Sequence, residues 1–156
     1  MSTAEDIIGA FCDWFEGSGF RCQSDYSDEE SLKRDLATQV DSWVEHNFPG
    51  WRAKLIPKGA KAPVLGPFAY GYVADAELYS VRGELVPVEA KLMKVGYEPN
   101  QAIGQAIMLS RRPDTGQAIA AIVDSRKSVP PYGSVEQSLR KDLWEKLRVR
   151  LCVRKA

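Results

Sequence analysis

The sequence predicts an α/β domain: a three-layer α/β/α sandwich with a central mixed β-sheet. After a first helix, the patterns follow the order helix, three strands, helix, strand, helix, strand. The extended patterns at 69–80 and 84–93 are separated only by Val81-Arg82-Gly83, which is typical of an antiparallel meander. The continuous apolar run 118–123 indicates a strand buried on both faces, as in parallel sheets.

Two helices are predicted at the start of the chain. Thr3 caps the first, which runs to about Glu16 and has Ile7, Ile8, Phe11 and Phe15 on one face. The second opens on a capping box, Ser27-Asp28-Glu29-Glu30, and continues as an apolar stripe until Pro49-Gly50 stops it.

The remaining elements are mainly strands. Strands are predicted at 51–57, 69–80, 84–93, 118–123 and 149–153, with a Gly/Pro-rich loop at 58–66. Two further helices begin near Pro99 and at Ser134-Val135-Glu136-Gln137.

Length and composition predict one compact domain. A chain of 156 residues with 44% hydrophobic content can bury a core without disulfides. We expect residues 1–26 to form an N-terminal helical extension and residues 27–156 to form the core.

The chemistry of the cysteines and of the N-terminus predicts a cytoplasmic protein. The three cysteines, Cys12, Cys22 and Cys152, have no metal-ligand spacing and do not resemble a secreted disulfide framework. The first residues carry neither a basic region nor a long apolar run, so we expect no signal peptide and no membrane partner.

The formal net charge of +0 conceals an asymmetry. Residues 1–50 hold 11 acids and three Lys or Arg, whereas residues 51–156 hold 10 acids and 18 Lys or Arg. The basic part predicts attraction to a polyanion such as nucleic acid. The residues expected to contact it are Lys54, Lys58, Lys61, Lys94, Arg111, Arg112, Arg126 and Lys127.

Acids and one lysine lie among apolar neighbours on the second and third predicted strands. Alternation places Asp75 and Glu77 on one face of the second strand, and Glu89 and Lys91 on one face of the third. Ionised groups inside a sheet are costly unless paired or metal-bound. A Mg²⁺ or Mn²⁺ ion held by these carboxylates would relieve that cost. The alternative is an edge strand with a solvated Glu89–Lys91 pair.

Other catalytic schemes have less support. The single histidine, His46, lies near a predicted helix end, where capping or a surface position is its expected role. The sequence contains no Cys/His metal cluster, Gly-rich phosphate loop or nucleophile elbow.

With acids on the second strand and Glu89-Ala90-Lys91 on the third, residues 27–155 resemble the PD-(D/E)xK nuclease superfamily, which has the restriction-endonuclease-like fold. The resemblance implies that Asp75 and Glu89 bind the metal, that Ala90 offers its backbone carbonyl, and that Lys91 is the catalytic lysine. Glu77 is a third metal ligand or an outer acceptor.

The resemblance also implies supporting residues from two helices. A glutamine after the third strand is expected beside Lys91, and either Gln101 or Gln105 fits. Some branches of the superfamily add an acid from the first core helix, for which Glu30, Asp35 and Glu45 are candidates.

Two classes of function follow. The first is a metal-dependent nuclease, with DNA as the favoured substrate, in repair, recombination, restriction or mobile-element biology. The second is a catalytically inactive nucleic-acid-binding or protein-interaction module on the same fold. A single small domain predicts that specificity comes from DNA structure, from a protein partner or from a homodimer, and Phe68, Tyr70 and Tyr72 could stack on unpaired bases.

Overall fold

The computed structural model describes residues 2–57, 59–60, 73–95, 98–127 and 133–156. Within these ranges the chain forms four helices and five strands. In chain order they are α1 (Ala4–Glu16), α2 (Glu29–Asn47), β1 (Trp51–Leu55), β2 (Ala76–Ser80), β3 (Leu85–Met93), α3 (Glu98–Ser110), β4 (Ala118–Asp124), α4 (Ser134–Leu147) and β5 (Val149–Lys155).

The five strands form one mixed sheet in the order β1-β2-β3-β4-β5. β1, β2 and β3 are antiparallel neighbours, and β3, β4 and β5 are parallel neighbours. The predicted meander and the predicted buried parallel strand are therefore confirmed, and every residue of β4 is buried.

The core has two parts, one on each face of the sheet. The apolar residues of α1 and α2 pack with Val86, Val88, Ala90 and Leu92 of β3. Those of α3 and α4 pack with alternate residues of β4 and β5 on the other face. Although residues 1–26 were predicted to be an extension, the buried side chains of α1 belong to the first of these clusters.

Helix caps are present close to the predicted positions. Thr3 caps α1 as predicted, accepting from the Asp6 amide at 3.2 Å, while Asp6 accepts from the Thr3 amide at 2.9 Å. The cap of α2 is Asp28 rather than the predicted Ser27, because the Asp28 carboxylate accepts from the Ser31 amide at 2.8 Å. α4 begins at Ser134, as predicted, and its N-cap residue is Gly133, whose amide donates to the Glu136 carboxylate at 2.8 Å.

The regular part of β2 is shorter than predicted. It begins at Ala76, while residues 69–72 lie outside the described part of the chain. Asp75 precedes the strand but continues its pairing, since its amide donates to the carbonyl of Val88 at 3.1 Å. β3 extends five residues beyond Val88, so its edge is uncovered by β2 there.

None of the helices in the described ranges combines the length and the apolar character that a membrane span requires.

Candidate active site

Asp75 takes the place of a neighbouring strand along the part of β3 that extends beyond its pairing with β2. Its Oδ2 accepts from the Ala90 amide at 2.8 Å. The amide and the carbonyl of one residue point to the same side of an extended strand. The carbonyl of Ala90 therefore lies on the same edge as the Asp75 carboxylate.

Glu29, at the start of α2, contacts the same edge one step further along. Its Oε2 is 3.5 Å from the Leu92 amide, at the long limit of a hydrogen bond, and its Oε1 is 3.4 Å from Nζ of Lys91. Because the helix begins here, Glu29 projects from an end that favours negative charge. Glu29 thus orients Lys91 from outside the sheet.

Lys33 lies one helical turn after Glu29 and links α2 to Asp75. Its Nζ is 2.8 Å from Asp75 Oδ1 and 3.4 Å from Glu29 Oε1. Burial acts to lower the pKa of Lys33, but the contact with Asp75 outweighs it and the net shift is upward. Lys33 is therefore a charged part of the cluster.

Glu89 is the most buried acid of this group, with 6% of its surface exposed. Val88 and Ala90 belong to the core cluster of α1 and α2, so alternation turns Glu89 towards the opposite face. Burial, followed by the charge and hydrogen bonding of Asp75, raises the pKa of Glu89 to about 8, against the opposing effects of Lys33 and Lys91. Asp75 and Glu89 therefore form a carboxylate pair.

A small cavity of about 150 Å³ opens beside this cluster and is lined by Glu30, Lys33 and Asp75, among others. A larger groove of about 560 Å³ lies between α1 and α2, lined by Trp14, Trp43 and mostly polar neighbours. Its lining contains no carboxylate, so it is not the acidic site.

The structure places the carboxyl groups of Asp75 and Glu89 against each other, and Lys91 lies close enough for its charge to act on Glu89. Of the two glutamines, Gln101 is exposed. Gln105 is half-buried, and its Oε1 is buried without a hydrogen-bond partner among the described residues.

The three acids predicted on the first core helix, α2, lie away from the cluster or farther from the strand edge than Glu29 does. Asp35 accepts from the hydroxyl of Tyr26, and Glu45 is 3.8 Å from Arg52. Glu30 is 3.7 Å from Lys33, but the acid that reaches the strand edge is its neighbour Glu29.

The structure places Glu77 and Arg112 in roles that differ from the predicted ones. Oε1 of Glu77 is 3.3 Å from Nη1 of Arg112, and Oε2 is 3.9 Å from Lys54. Arg112 also contacts Asp114 at 2.7 Å, and its side chain is only 6% exposed. Glu77, predicted as a third metal ligand or an outer acceptor, and Arg112, predicted to contact phosphate, are thus partners in an ion pair of low exposure.

The other basic residues are distributed over the molecule. Lys94 and Lys127 are exposed and follow the ends of β3 and β4, near the cluster. Arg111 donates to the carbonyl of Leu147, where β5 is about to begin, so it lies towards the other end of the parallel strands. Arg126 is bonded to Asp124. Lys58 and Lys61, like Phe68, Tyr70 and Tyr72, lie outside the described residues.

The comparisons with known proteins do not assign the chain to a family. No family model, curated protein or solved structure matches it. The interpretation of the cluster therefore depends on its own geometry.

The chemical types of the donor atoms suit a hard divalent cation. Asp75 and Glu89 supply carboxylate oxygens and Ala90 supplies a carbonyl, which are the ligands that Mg²⁺ and Mn²⁺ prefer. In the described part of the chain, no group of three or more His, Cys, Asp or Glu side chains is placed so that it could hold a metal ion. The site thus offers a carboxylate pair, with Lys33 at the oxygen of Asp75 that Ala90 leaves free.

The sequence patterns did not identify two residues of this cluster, Glu29 and Lys33. Their signal was the i, i+4 spacing of an acid and a lysine just after the Asp28 cap. That pattern is common on exposed helices, so it did not single out a site.

Proposed function

We propose that this protein is a metal-dependent nuclease with the restriction-endonuclease-like fold, which hydrolyses phosphodiester bonds, with DNA as the expected substrate. The proposed setting is repair, recombination, restriction or mobile-element biology. The observation that carries the proposal is the carboxylate pair of Asp75, which is half-buried, and Glu89, which is buried, with Lys91 close enough for its charge to act on Glu89.

The balance of charge in the cluster supports this proposal. Among the described residues, the carboxyl groups of Asp75, Glu89, Glu29 and Glu30 outnumber the amino groups of Lys33 and Lys91. This excess of acids at a site of low exposure would be relieved by a proton or a cation.

In the proposed reaction a water oxygen forms a bond to phosphorus and the bond from phosphorus to the leaving sugar oxygen breaks. Water loses one proton and the leaving oxygen gains one. Mg²⁺ or Mn²⁺ held by Asp75, Glu89 and the Ala90 carbonyl would withdraw charge from the phosphate and increase the acidity of water. Lys91 would stabilise the negative charge that develops on the phosphate oxygens.

Glu29 has a positioning part in this proposal. Its Oε1 is 3.4 Å from Nζ of Lys91, and its Oε2 faces the amide of the next residue, Leu92. The contact restricts the long side chain of Lys91 near the carboxylate pair. Preorganised charge of this kind lowers the cost of reaching the transition state.

The experiment measures cleavage of single- and double-stranded DNA and RNA with Mg²⁺, with Mn²⁺ and with a chelator. We expect Asp75→Asn to weaken metal binding because a neutral amide replaces an ionised ligand. Lys91→Ala should retain metal binding but lose about a hundred- to thousandfold in cleavage rate. Asp142→Asn, at an exposed position on α4, is the matched control.

A binding titration with the same nucleic acids separates catalysis from affinity, since dispersed Lys and Arg contacts to phosphate should keep both variants bound. Full cleavage by Asp75→Asn or Lys91→Ala would remove that residue from the mechanism. Binding without cleavage of any substrate by the unaltered protein would favour the inactive binding module instead.

A further inference from the structure

Lys33 holds an oxygen atom that a metal ion at this site would need. The carboxylate of Asp75 has two oxygens, and Oδ2 already accepts from the Ala90 amide at 2.8 Å. The other, Oδ1, is 2.8 Å from Nζ of Lys33. The two side chains are only 15% and 16% exposed, so this contact is shielded from water.

An ammonium group and a divalent cation cannot both occupy the open side of Oδ1. Like charges repel strongly at such a separation, and more strongly where water is excluded. A cation that binds Asp75 through Oδ1 must therefore displace Lys33.

Lys33 has two other acceptors within reach. Oε1 of Glu29 is 3.4 Å from its Nζ, and Oε1 of Glu30 is 3.7 Å away. Both acids precede it on α2, by four and three residues, which places them on its own side of the helix. A change of side-chain rotamer is therefore sufficient, and the helix backbone can stay in place.

We propose that Lys33 is a displaceable counter-ion, which holds Asp75 in the metal-free protein and moves onto Glu29 and Glu30 when a divalent cation binds. This inference rests on the metal site of the proposed function. In this role Lys33 lowers the affinity of the site for a metal ion and stabilises the metal-free protein.

The test measures the affinity of Mn²⁺ for the whole chain by electron paramagnetic resonance of free Mn²⁺, and thermal unfolding with and without the ion. Lys33→Met should bind Mn²⁺ roughly tenfold more tightly, because it removes the ammonium group that competes for Asp75. A tenfold change in affinity corresponds to about 1.4 kcal/mol. The same variant should unfold at a lower temperature without metal, since Asp75 loses its partner.

Two further variants make the measurement specific. Lys33→Arg keeps the positive charge and the salt bridge to Asp75, and should bind Mn²⁺ no more tightly than the unaltered protein. Arg34→Met removes one positive charge from the adjacent, exposed position of α2, and should leave Mn²⁺ affinity close to its original value.

The outcomes separate this inference from the function on which it rests. If Lys33→Met binds Mn²⁺ no more tightly than the unaltered protein, or if Arg34→Met shows the same gain, the displaceable counter-ion is refuted. If the unaltered protein does not bind Mn²⁺, or if Asp75→Asn binds it equally well, the metal site itself is refuted and the counter-ion with it.

Discussion

Glu89 carries a carboxyl group at a position whose neighbours are apolar and buried. Ala120 lies opposite it on β4 with 0% exposure, and only 6% of the surface of Glu89 itself is exposed. An ionised carboxylate in such surroundings loses much of its hydration. The metal-free fold therefore holds the protonated form more readily than an unfolded chain does.

The first prediction concerns the pH dependence of stability without metal. Because the pKa of Glu89 is raised to about 8, an unfolded chain loses this proton at lower pH than the folded protein does. The folded state then binds more protons, so Glu89 should make the protein less stable as pH rises from the ordinary glutamate range to about 8. Above about pH 8, the loss of stability caused by Glu89 should no longer change with pH.

Glu89→Gln isolates this effect, since the amide has no proton to lose. In a chelating buffer, urea unfolding across pH should show a smaller decline in stability for the variant than for the unaltered protein. Asp75 lies against Glu89, so the difference between the two profiles belongs to the carboxylate pair and not to Glu89 alone. Identical pH profiles would show that Glu89 is not buried as an ionisable group.

Strand alternation made Asp75, Glu89 and Lys91 predictable because it is a local property of the chain. Their pairing across a short turn could also be predicted, since β2 and β3 are consecutive and antiparallel. Glu29 and Lys33 could not, because their approach to β3 depends on where α2 begins and on how it packs against the sheet. Arg112 follows a helix like a surface residue, and only the tertiary fold places it against Glu77.

Among the elements, the first turn of α2 contributes most to the site. Asp28 fixes the start of the helix by accepting from the Ser31 amide, and Glu29 is the first helical residue after it. Lys33 follows on the next turn. Fraying of this turn would loosen the contacts that α2 makes with Asp75 and Lys91.

The second prediction compares the caps of the first two helices. Asp28→Ala and Thr3→Ala should each cost about 1 kcal/mol of stability, because each leaves a helix amide without its side-chain acceptor. Only Asp28→Ala should also slow metal-dependent cleavage, since only its helix reaches the cluster. Chemical unfolding measures the stability of each variant, and the cleavage assay measures its rate. Equal cleavage rates for the two variants would show that the Asp28 cap does not affect the site.

Helices and strands were predictable where the pattern is internal to the element. The buried residues of α1 recur at helical spacing, and β4 is apolar throughout, so both appear where expected. The α2 cap was displaced by one residue because Ser27 and Asp28 are both good acceptors for a helix amide. The beginning of β2 was misplaced because a strand ends where its neighbours stop pairing, which is a property of the sheet.

At the scale of the whole molecule, the first helix and the last strand are joined. Glu16 accepts from the Val153 amide at 2.7 Å and is 2.8 Å from Arg140 of α4. Phe11 and Phe15 stack in the same core cluster as Cys152. The α1 helix is therefore integrated into the packing of the sheet.

The third prediction tests this integration. Phe15 is fully buried, so Phe15→Ala should cost about 3–5 kcal/mol and lower the stability of the whole protein. Unfolding followed by tryptophan fluorescence and by far-ultraviolet circular dichroism should give one shared transition. Val135→Ala, at a position that is 76% exposed on α4, should change stability by less than about 0.5 kcal/mol.

Loss of α1 in a separate, earlier transition, with the sheet unaffected, would contradict a single cooperative unit. It would instead support an extension that folds independently of residues 27–156.

The α/β class and the mixed sheet were predictable because they follow from the order of the elements. The docking of α1 was not, because its partner lies at the other end of the sequence and no local pattern identifies it. The hydrogen bond from Val153 to Glu16 spans 137 positions.

That separation has a consequence during protein synthesis. α1 leaves the ribosome before β5 is translated, with Ile7, Ile8, Phe11 and Phe15 ready for burial. The β1-β2-β3 meander can pair in the nascent chain because its contacts are short in sequence. The apolar face of α1 must wait, and for that interval it is a natural target for chaperones that shield exposed hydrophobic surface.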